Sequence, residues 1–281
     1  MVPVKIRSYH YEVLNQFHDQ LFDLSNTDKG FSIEFMGIAD CKFIEYPLFC
    51  LTTGNNQDTN LKDVLISAGI HGEEPAGVYT LMRFLKHDMF FDFAKDYRFL
   101  IFPCINPFGF EHGHRFNSNG VDINREFKKD SLCREANRVM GVLGRKARKF
   151  VCTIDLHETD PNWADEGFTK DYNPKTFYMW ETASDKSIRI GDKVIKEIMK
   201  WAPVCGWPKI YGDTNNGGVV WYPEGCGNPV YAQGTTLDAF LNANYTPQSF
   251  TLETPCGWNM ERRIATHLVA LQTILELKRN T

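Results

Sequence analysis

The chain has 281 residues and no run of about 18 uninterrupted apolar side chains, the least that a membrane-spanning helix needs. Its opening stretch, MVPVKIRSYHYEVLNQFHDQ, lacks the apolar core of a secretory signal, so a cytoplasmic location is expected. It has no surplus of either charge: 31 basic against 35 acidic side chains leave a formal net charge of -4. That balance offers no field to attract nucleic acid or an anionic membrane. Eight cysteines are present, an even number, but they are widely spaced and none form a CxxC pair. Cysteines in runs such as IFPCIN and FVCTID read as reduced, small core residues. No internal repeat, low-complexity tract or long linker divides the chain, so one domain over residues 1–281 is expected.

What the sequence does have is hydrophobic patterning of two periods. Tyr11, Leu14, Phe17, Leu21 and Leu24 recur at helical spacing and predict a helix over about Tyr9–Leu24. Short strands are expected at Phe31–Phe35 and Pro47–Thr52. Buried strands are expected at Val64–Ile70, Tyr97–Ile105, Phe150–Leu156 and Phe250–Leu252, each a short apolar run. Pro75 suits the first turn of a helix continuing through Val78–Leu85, and a last helix is expected over about Asn259–Lys278. Strands alternating with helices predict an α/β fold, with a mixed, mainly parallel central sheet and helices on both faces.

Several of these runs stop at a group that can do chemistry. His71 follows the Val64 run, His157 the Phe150 run, and Glu253 the Phe250 run. In open α/β sheets ligands bind beyond the carboxyl ends of the strands, a rule that gathers these three at one edge. His71-Gly72-Glu73-Glu74 offers an imidazole and a carboxylate three residues apart, a donor set zinc accepts. A bare HxxE arises often by chance, and a lone strand-end histidine is more often a capped core residue. Asn117–Phe127, NSNGVDINREF, contains an Asn119-Gly120 turn signal and the donor pair Asn124 and Arg125, preceded by Arg115. Arginine suits a carboxylate because its planar fork binds both oxygens. A carboxylate ending a buried strand, as Glu253 does, is costly without a partner or a purpose. Glu111-His112-Gly113-His114 resembles a metal cluster but has no third ligand placed by sequence. Trp180, Trp201, Trp207, Trp221 and Trp258 read mostly as core, with Trp221 in a Gly-rich loop able to line a cleft.

Taken together, these pieces, in this order and at these separations, resemble the zinc carboxypeptidase family from about Val64 to Ala270. The resemblance implies one zinc ion held by His71, Glu74 and His157, with Asp122 bonded to a ligand histidine. It implies that Arg115 polarises the scissile carbonyl. Asn124, Arg125 and Tyr231 would grip a free substrate carboxylate, and Glu253 would act as general base. No propeptide is apparent. The partner expected is a peptide or acyl-amino acid with a free carboxylate; sequence is silent on oligomeric state. The lead expectation is a zinc metallocarboxypeptidase.

Two features pull apart within that resemblance. IDLHETD looks more like the aspartoacylase and succinylglutamate desuccinylase branch, which cleaves N-acyl amino acids, whereas VYAQGTTLD points to peptidases. The side-chain pocket position is Leu237 if the alignment is made on GTTLD, predicting an apolar preference. It is Asp238 if residues are counted from Tyr231 without a gap, predicting a basic one. Leu237 is the favoured reading, because Asp238 matches a structural aspartate of the local motif. A catalytically silent binding protein on the same scaffold is the third alternative.

Overall fold

The computed structural model describes residues 15–16, 18–19, 21–23, 31–39, 45–53, 60–86, 89–146, 148–161, 167–222 and 235–279. Of the expected N-terminal helix, residues 15–16, 18–19 and 21–23 are helical; Tyr11, Leu14, Phe17 and Leu24 lie outside the described residues.

Eight strands form one sheet: β1 (Phe31–Ala39), β2 (Tyr46–Thr53), β3 (Lys62–Ala68), β4 (Tyr97–Phe102), β5 (Cys152–Thr159), β6 (Tyr178–Thr182), β9 (Val219–Tyr222) and β10 (Ser249–Pro255). Two short strands, β7 (Lys209–Ile210) and β8 (Asp213–Thr214), pair separately. The spatial order is β1-β2-β4-β3-β5-β10-β6-β9. The pairs β4–β3, β3–β5, β5–β10 and β6–β9 are parallel, and β1–β2, β2–β4 and β10–β6 are antiparallel. The sheet is therefore mixed and mainly parallel, as the pattern predicts.

The main helices are α1 (Ala76–Lys86), α2 (Met89–Ala94), α3 (Pro107–His112), α4 (Arg134–Lys146), α5 (Gly191–Ile198), α6 (Leu237–Asn244) and α7 (Met260–Arg279). Strand alternation assigns them to faces. Leu156 packs against α1, and Glu181 accepts hydrogen bonds from the first amides of α5, so α1, α5 and α7 cover one face. Helices α4 and α6 cover the other, which also presents Asp155, His157 and Glu253. Val64, Ile66, Leu100, Ile154, Leu252 and their neighbours are fully enclosed between the layers. Among the described residues no helix is long and apolar enough to cross a membrane. Cys50, Cys104, Cys133, Cys152 and Cys205 are buried free thiols, in line with their reading as core residues.

Two expected strands end later than their apolar runs. β5 and β10 continue through Thr159 and Pro255 because the polar residues go on pairing, Thr254 with Glu158 and Pro255 with Thr159. His157 and Glu253 thus lie inside the ladder, directly opposite one another. Val219–Tyr222, read from sequence as part of a Gly-rich loop, is strand β9.

Candidate metal centre and cleft

The segments after β3 and β4 deliver part of the site, and strands β5 and β10 carry the rest. After β3, Gly69 takes a left-handed conformation (φ +63°) that turns the chain, and His71 follows. Gly72 then passes so close to α3 that a Cβ would lie 1.8 Å from the carbonyl carbon of Gly109, so only glycine fits. The Gly72 N–H donates to the His114 carbonyl (3.0 Å). Pro75 opens the first turn of α1, accepting from Tyr79 N–H at 3.2 Å. After β4, Asn106 caps α3 by accepting from Gly109 N–H (2.8 Å) and donates to the Arg115 carbonyl (3.1 Å). The backbones carrying His71 and Arg115 are therefore tied to the same short helix.

His71, Glu74 and His157 converge, all at most 4 % exposed. They are the one group among the described residues whose ligand atoms lie close enough to share a metal ion, all within 4.8 Å of one another. Nδ1 of His71 lies 2.8 Å from Glu74 Oε1, and Nδ1 of His157 lies 2.8 Å from Glu74 Oε2. The opposite ring nitrogens are held as well: His71 Nε2 by Asp122 (3.2 Å) and His157 Nε2 by Asp155 (3.0 Å). Asp155 is itself held by Ser67 Oγ at 2.8 Å. Two imidazoles aimed by one nitrogen, each anchored to a carboxylate by the other, with a third carboxylate between them, is a donor set suited to zinc.

The electrostatics point the same way. Burial and the nearby Arg115 both oppose charge on His71, but Glu74 and Asp122 outweigh them and raise its pKa to about 9. His157 is likewise raised, against burial, by Asp155 and Glu74. Burial opposes the charge on Glu74 and Asp122 also, yet the surrounding cationic groups hold both carboxyls well below their ordinary values. The pocket is built to hold positive charge between its carboxylates.

Around this centre lies a cleft open to solvent, with about 110 Å³ of room for water-sized groups. Arg115 reaches it with Nε on Asp122 (3.1 Å) and Nη1 3.3 Å from His71 Nδ1. Asp122 also caps the 3-10 turn Ile123–Arg125 through Asn124 N–H (2.9 Å), so one aspartate orients His71, Arg115 and Asn124. Asn124 accepts from Leu237 N–H (2.8 Å), joining that turn to the start of α6, and Arg125 lines the cleft beside it. Glu253 enters from β10 and accepts from Thr159 Oγ1 at 3.1 Å. The far wall is aromatic: Tyr178, Trp180, Tyr211 and Tyr222, with Trp180 and Tyr222 stacked at 5.2 Å. The tyrosine hydroxyls already bond Thr159, Asn173 and Asp213, so the rings form the wall.

The structure brings His71, Glu74, Arg115, Asp122, Asn124, Arg125, His157 and Glu253 into one place. Tyr231 lies outside the described residues. Leu237 is the correction. It is fully buried in the main core, while Asp238 lines the cleft, one step round the helix. The apolar stripe of α6, Leu237 and Leu241, packs inward, and that rotation leaves Asp238 facing out. Burial raises the Asp238 carboxyl pKa, and the Thr236 hydroxyl donates to it at 2.6 Å. Trp221 also differs from expectation. The β9 register sends it to the opposite face, where its indole donates to Glu181 (2.9 Å), and Tyr222 takes the cleft side. In the discounted EHGH segment, His112 contacts the Tyr46 hydroxyl at 3.3 Å and Glu111 at 3.6 Å.

Sequence reasoning missed Asp155, although it stands two residues before His157 and shares its face of the strand, the signal that could have found it. The aromatic wall had no sequence signature because its members come from β6, β9 and the β7–β8 turn.

Comparison with known proteins agrees with this geometry. Residues 60–179 match the profile of the succinylglutamate desuccinylase/aspartoacylase catalytic domain. A Prochlorococcus marinus protein named "Probable aspartoacylase" is 32% identical over 108 residues, a match spanning 36% of this chain and 35% of that relative. A structure from Shewanella amazonensis, assigned provisionally to the metallopeptidases, superimposes with a TM-score of 0.74 at 22% identity, covering 94% of this chain and 92% of that one. Carboxypeptidase A from Helicoverpa armigera superimposes at 0.67 with 14% identity, covering 99% of this chain and 74% of that one. The chain thus has the fold of these metallopeptidase and carboxypeptidase structures, and its residues 60–179 are similar to the succinylglutamate desuccinylase/aspartoacylase catalytic domain.

Proposed function

We propose that the protein is a zinc-dependent carboxypeptidase that hydrolyses the C-terminal amide bond of peptides. The observation that carries this reading is the pairing of Glu253 with His157 across β10 and β5, in a cleft that also holds Arg115, Asn124 and Arg125. His71, Glu74 and His157 would hold one zinc ion, which supplies Lewis acidity and makes water more acidic.

The chain's own residues do the rest. Arg125 and the amide NH2 of Asn124, whose oxygen is committed to Leu237, take the terminal carboxylate. Tyr231 is proposed to close on the same group. Arg115, fixed by Asp122, donates to the carbonyl oxygen as negative charge develops there. Glu253 takes a proton from the attacking water and delivers it to the departing amine. Asp238 faces the substrate side chain and selects basic over acidic residues, with the aromatic rings holding its aliphatic stem.

The second reading is an N-acyl-amino-acid deacylase, favoured by the match over residues 60–179. Both substrate classes present a free carboxylate next to the scissile amide. They separate in one assay: zinc-loaded protein is offered a panel of N-blocked dipeptides and of N-acyl amino acids, with and without chelator. Chelator-sensitive release of C-terminal residues is expected. Turnover of acyl amino acids without any peptide cleavage would refute the peptidase reading.

A further inference from the structure

Glu158 follows His157, so strand alternation sends its side chain to the opposite face of the sheet, where none of it is exposed. A carboxylate enclosed there costs several kcal/mol unless it is paired and fully bonded. It is bonded to three donors. Oε2 accepts from the backbone N–H of Ala76 (2.7 Å), and Oε1 accepts from Arg263 Nη1 (2.8 Å) and Thr254 Oγ1 (3.2 Å). The Glu158 backbone N–H in turn donates to Glu74 Oε2 at 2.9 Å.

Two of the three partners adjoin a residue of the cleft, as does Glu158 itself. Ala76 begins α1 two residues after Glu74, Thr254 follows Glu253, and Glu158 itself follows His157. A helix cap alone would need only the Ala76 contact, which a side chain just before α1 supplies in most helices. Here the cap comes from 82 residues away and is shared with the strand that carries Glu253. Resting on the zinc-site reading above, we propose that Glu158 is a positioning residue. From behind the sheet it fixes Glu74 and Glu253 relative to His157, and Arg263 holds it in place.

All three partners, one backbone N–H and two side chains, donate, so the geometry demands an acceptor at both oxygens. Glu158→Gln keeps the shape but sets an NH2 group against one of those donors. Arg263→Leu removes the counter-charge, and Arg263→Lys restores a charge without the fork. Zinc affinity is measured by competition with a chromogenic chelator. Ligand geometry is read from the visible absorption of the cobalt-substituted protein, and folding from the thermal melt of the metal-free form.

Folded Glu158→Gln and Arg263→Leu are expected to bind zinc about 10- to 100-fold more weakly, the usual effect of losing a group that orients a ligand. Their cobalt spectra should change, kcat should fall more than KM rises, and Arg263→Lys should recover most of the affinity lost in Arg263→Leu. Folded variants with wild-type zinc affinity and cobalt spectrum would overturn the inference while leaving the zinc site standing. Wild-type protein that binds neither metal would overturn both. Should Glu158→Gln fail to fold, the Arg263 pair decides: equal affinity in Leu and Lys variants and wild type refutes the clamp, and graded affinity supports it.

Discussion

Asp238→Asn is the perturbation that reaches furthest into the proposed specificity. The side chain lines the cleft from the first turn of α6, bonded to Thr236 Oγ1 at 2.6 Å. An asparagine keeps that bond and the local shape and removes only the charge. A cation held about 4 Å from a carboxylate gains roughly 4 kcal/mol at an effective dielectric near 20. The position is partly open to solvent, which reduces this to about 2–3 kcal/mol. The variant should therefore lose roughly 30- to 150-fold in kcat/KM on substrates ending in lysine or arginine. Substrates ending in leucine or phenylalanine should change little, and those ending in aspartate should improve. The assay is kcat/KM for a series of N-blocked dipeptides differing only in the last residue, with zinc content measured in parallel. A wild-type enzyme indifferent to the charge of that residue, or a variant whose ratio of basic to apolar substrates is unaltered, would refute the reasoning.

Three further outcomes follow from the geometry. Glu253→Gln should retain zinc and the fold while kcat drops by about 10²- to 10⁴-fold; activity within a few-fold of wild type would remove Glu253 as the base. Asp155→Asn weakens the hold on His157 Nε2, and zinc Kd, read by chelator competition, should rise about 10- to 100-fold, whereas an unchanged Kd would make the Asp155 contact incidental. His267 is fully buried on α7, and burial, helped by the charges of His157 and Arg263, pushes its pKa down to about 3. The unfolded chain binds that proton near pH 6.5 and the native state does not, so the contribution is whole above pH 6.5 and is lost as pH falls toward 3. Between pH 6.5 and 4.5 wild-type protein should lose about 2–3 kcal/mol more than His267→Gln in urea titrations, and parallel pH profiles would contradict this.

Much of the site was legible because its parts sit at strand ends. Apolar runs of three to seven residues announced β3, β5 and β10, each followed by an ionisable group, and Glu253 stood out for the cost of burying it. The turn Asn119-Gly120 likewise marked the loop that carries Asp122 and Arg125, and Gly120 does take a positive φ of 73°. What escaped was rotation and register. Leu237 and Asp238 are neighbours at a helix start, and only packing of α6 on the sheet decides which one turns inward. Trp221 and Tyr222 pose the same problem on a strand, where one residue of phase exchanges the two faces. Glu158 was hidden for a further reason. Its partners Ala76, Thr254 and Arg263 are scattered over nearly 190 positions, and no spacing rule connects them.

The place of β10 between β5 and β6 has a consequence for how the protein comes to be made. His71, Glu74 and His157 are all present once β5 has been synthesised, at residue 159 of 281. Glu253 arrives almost a hundred residues later, on a strand that lies between β5 and β6, both of which precede it in the chain. Until it does, β6 and β9 have no ladder to the rest of the sheet among the described strands. A nascent chain released before then would hold the metal ligands without the base. On the proposed mechanism, the base is therefore withheld until the last strand is in, and a chain ending between residues 160 and 248 would carry the three metal ligands but lack the base and the Thr254 and Arg263 contacts to Glu158.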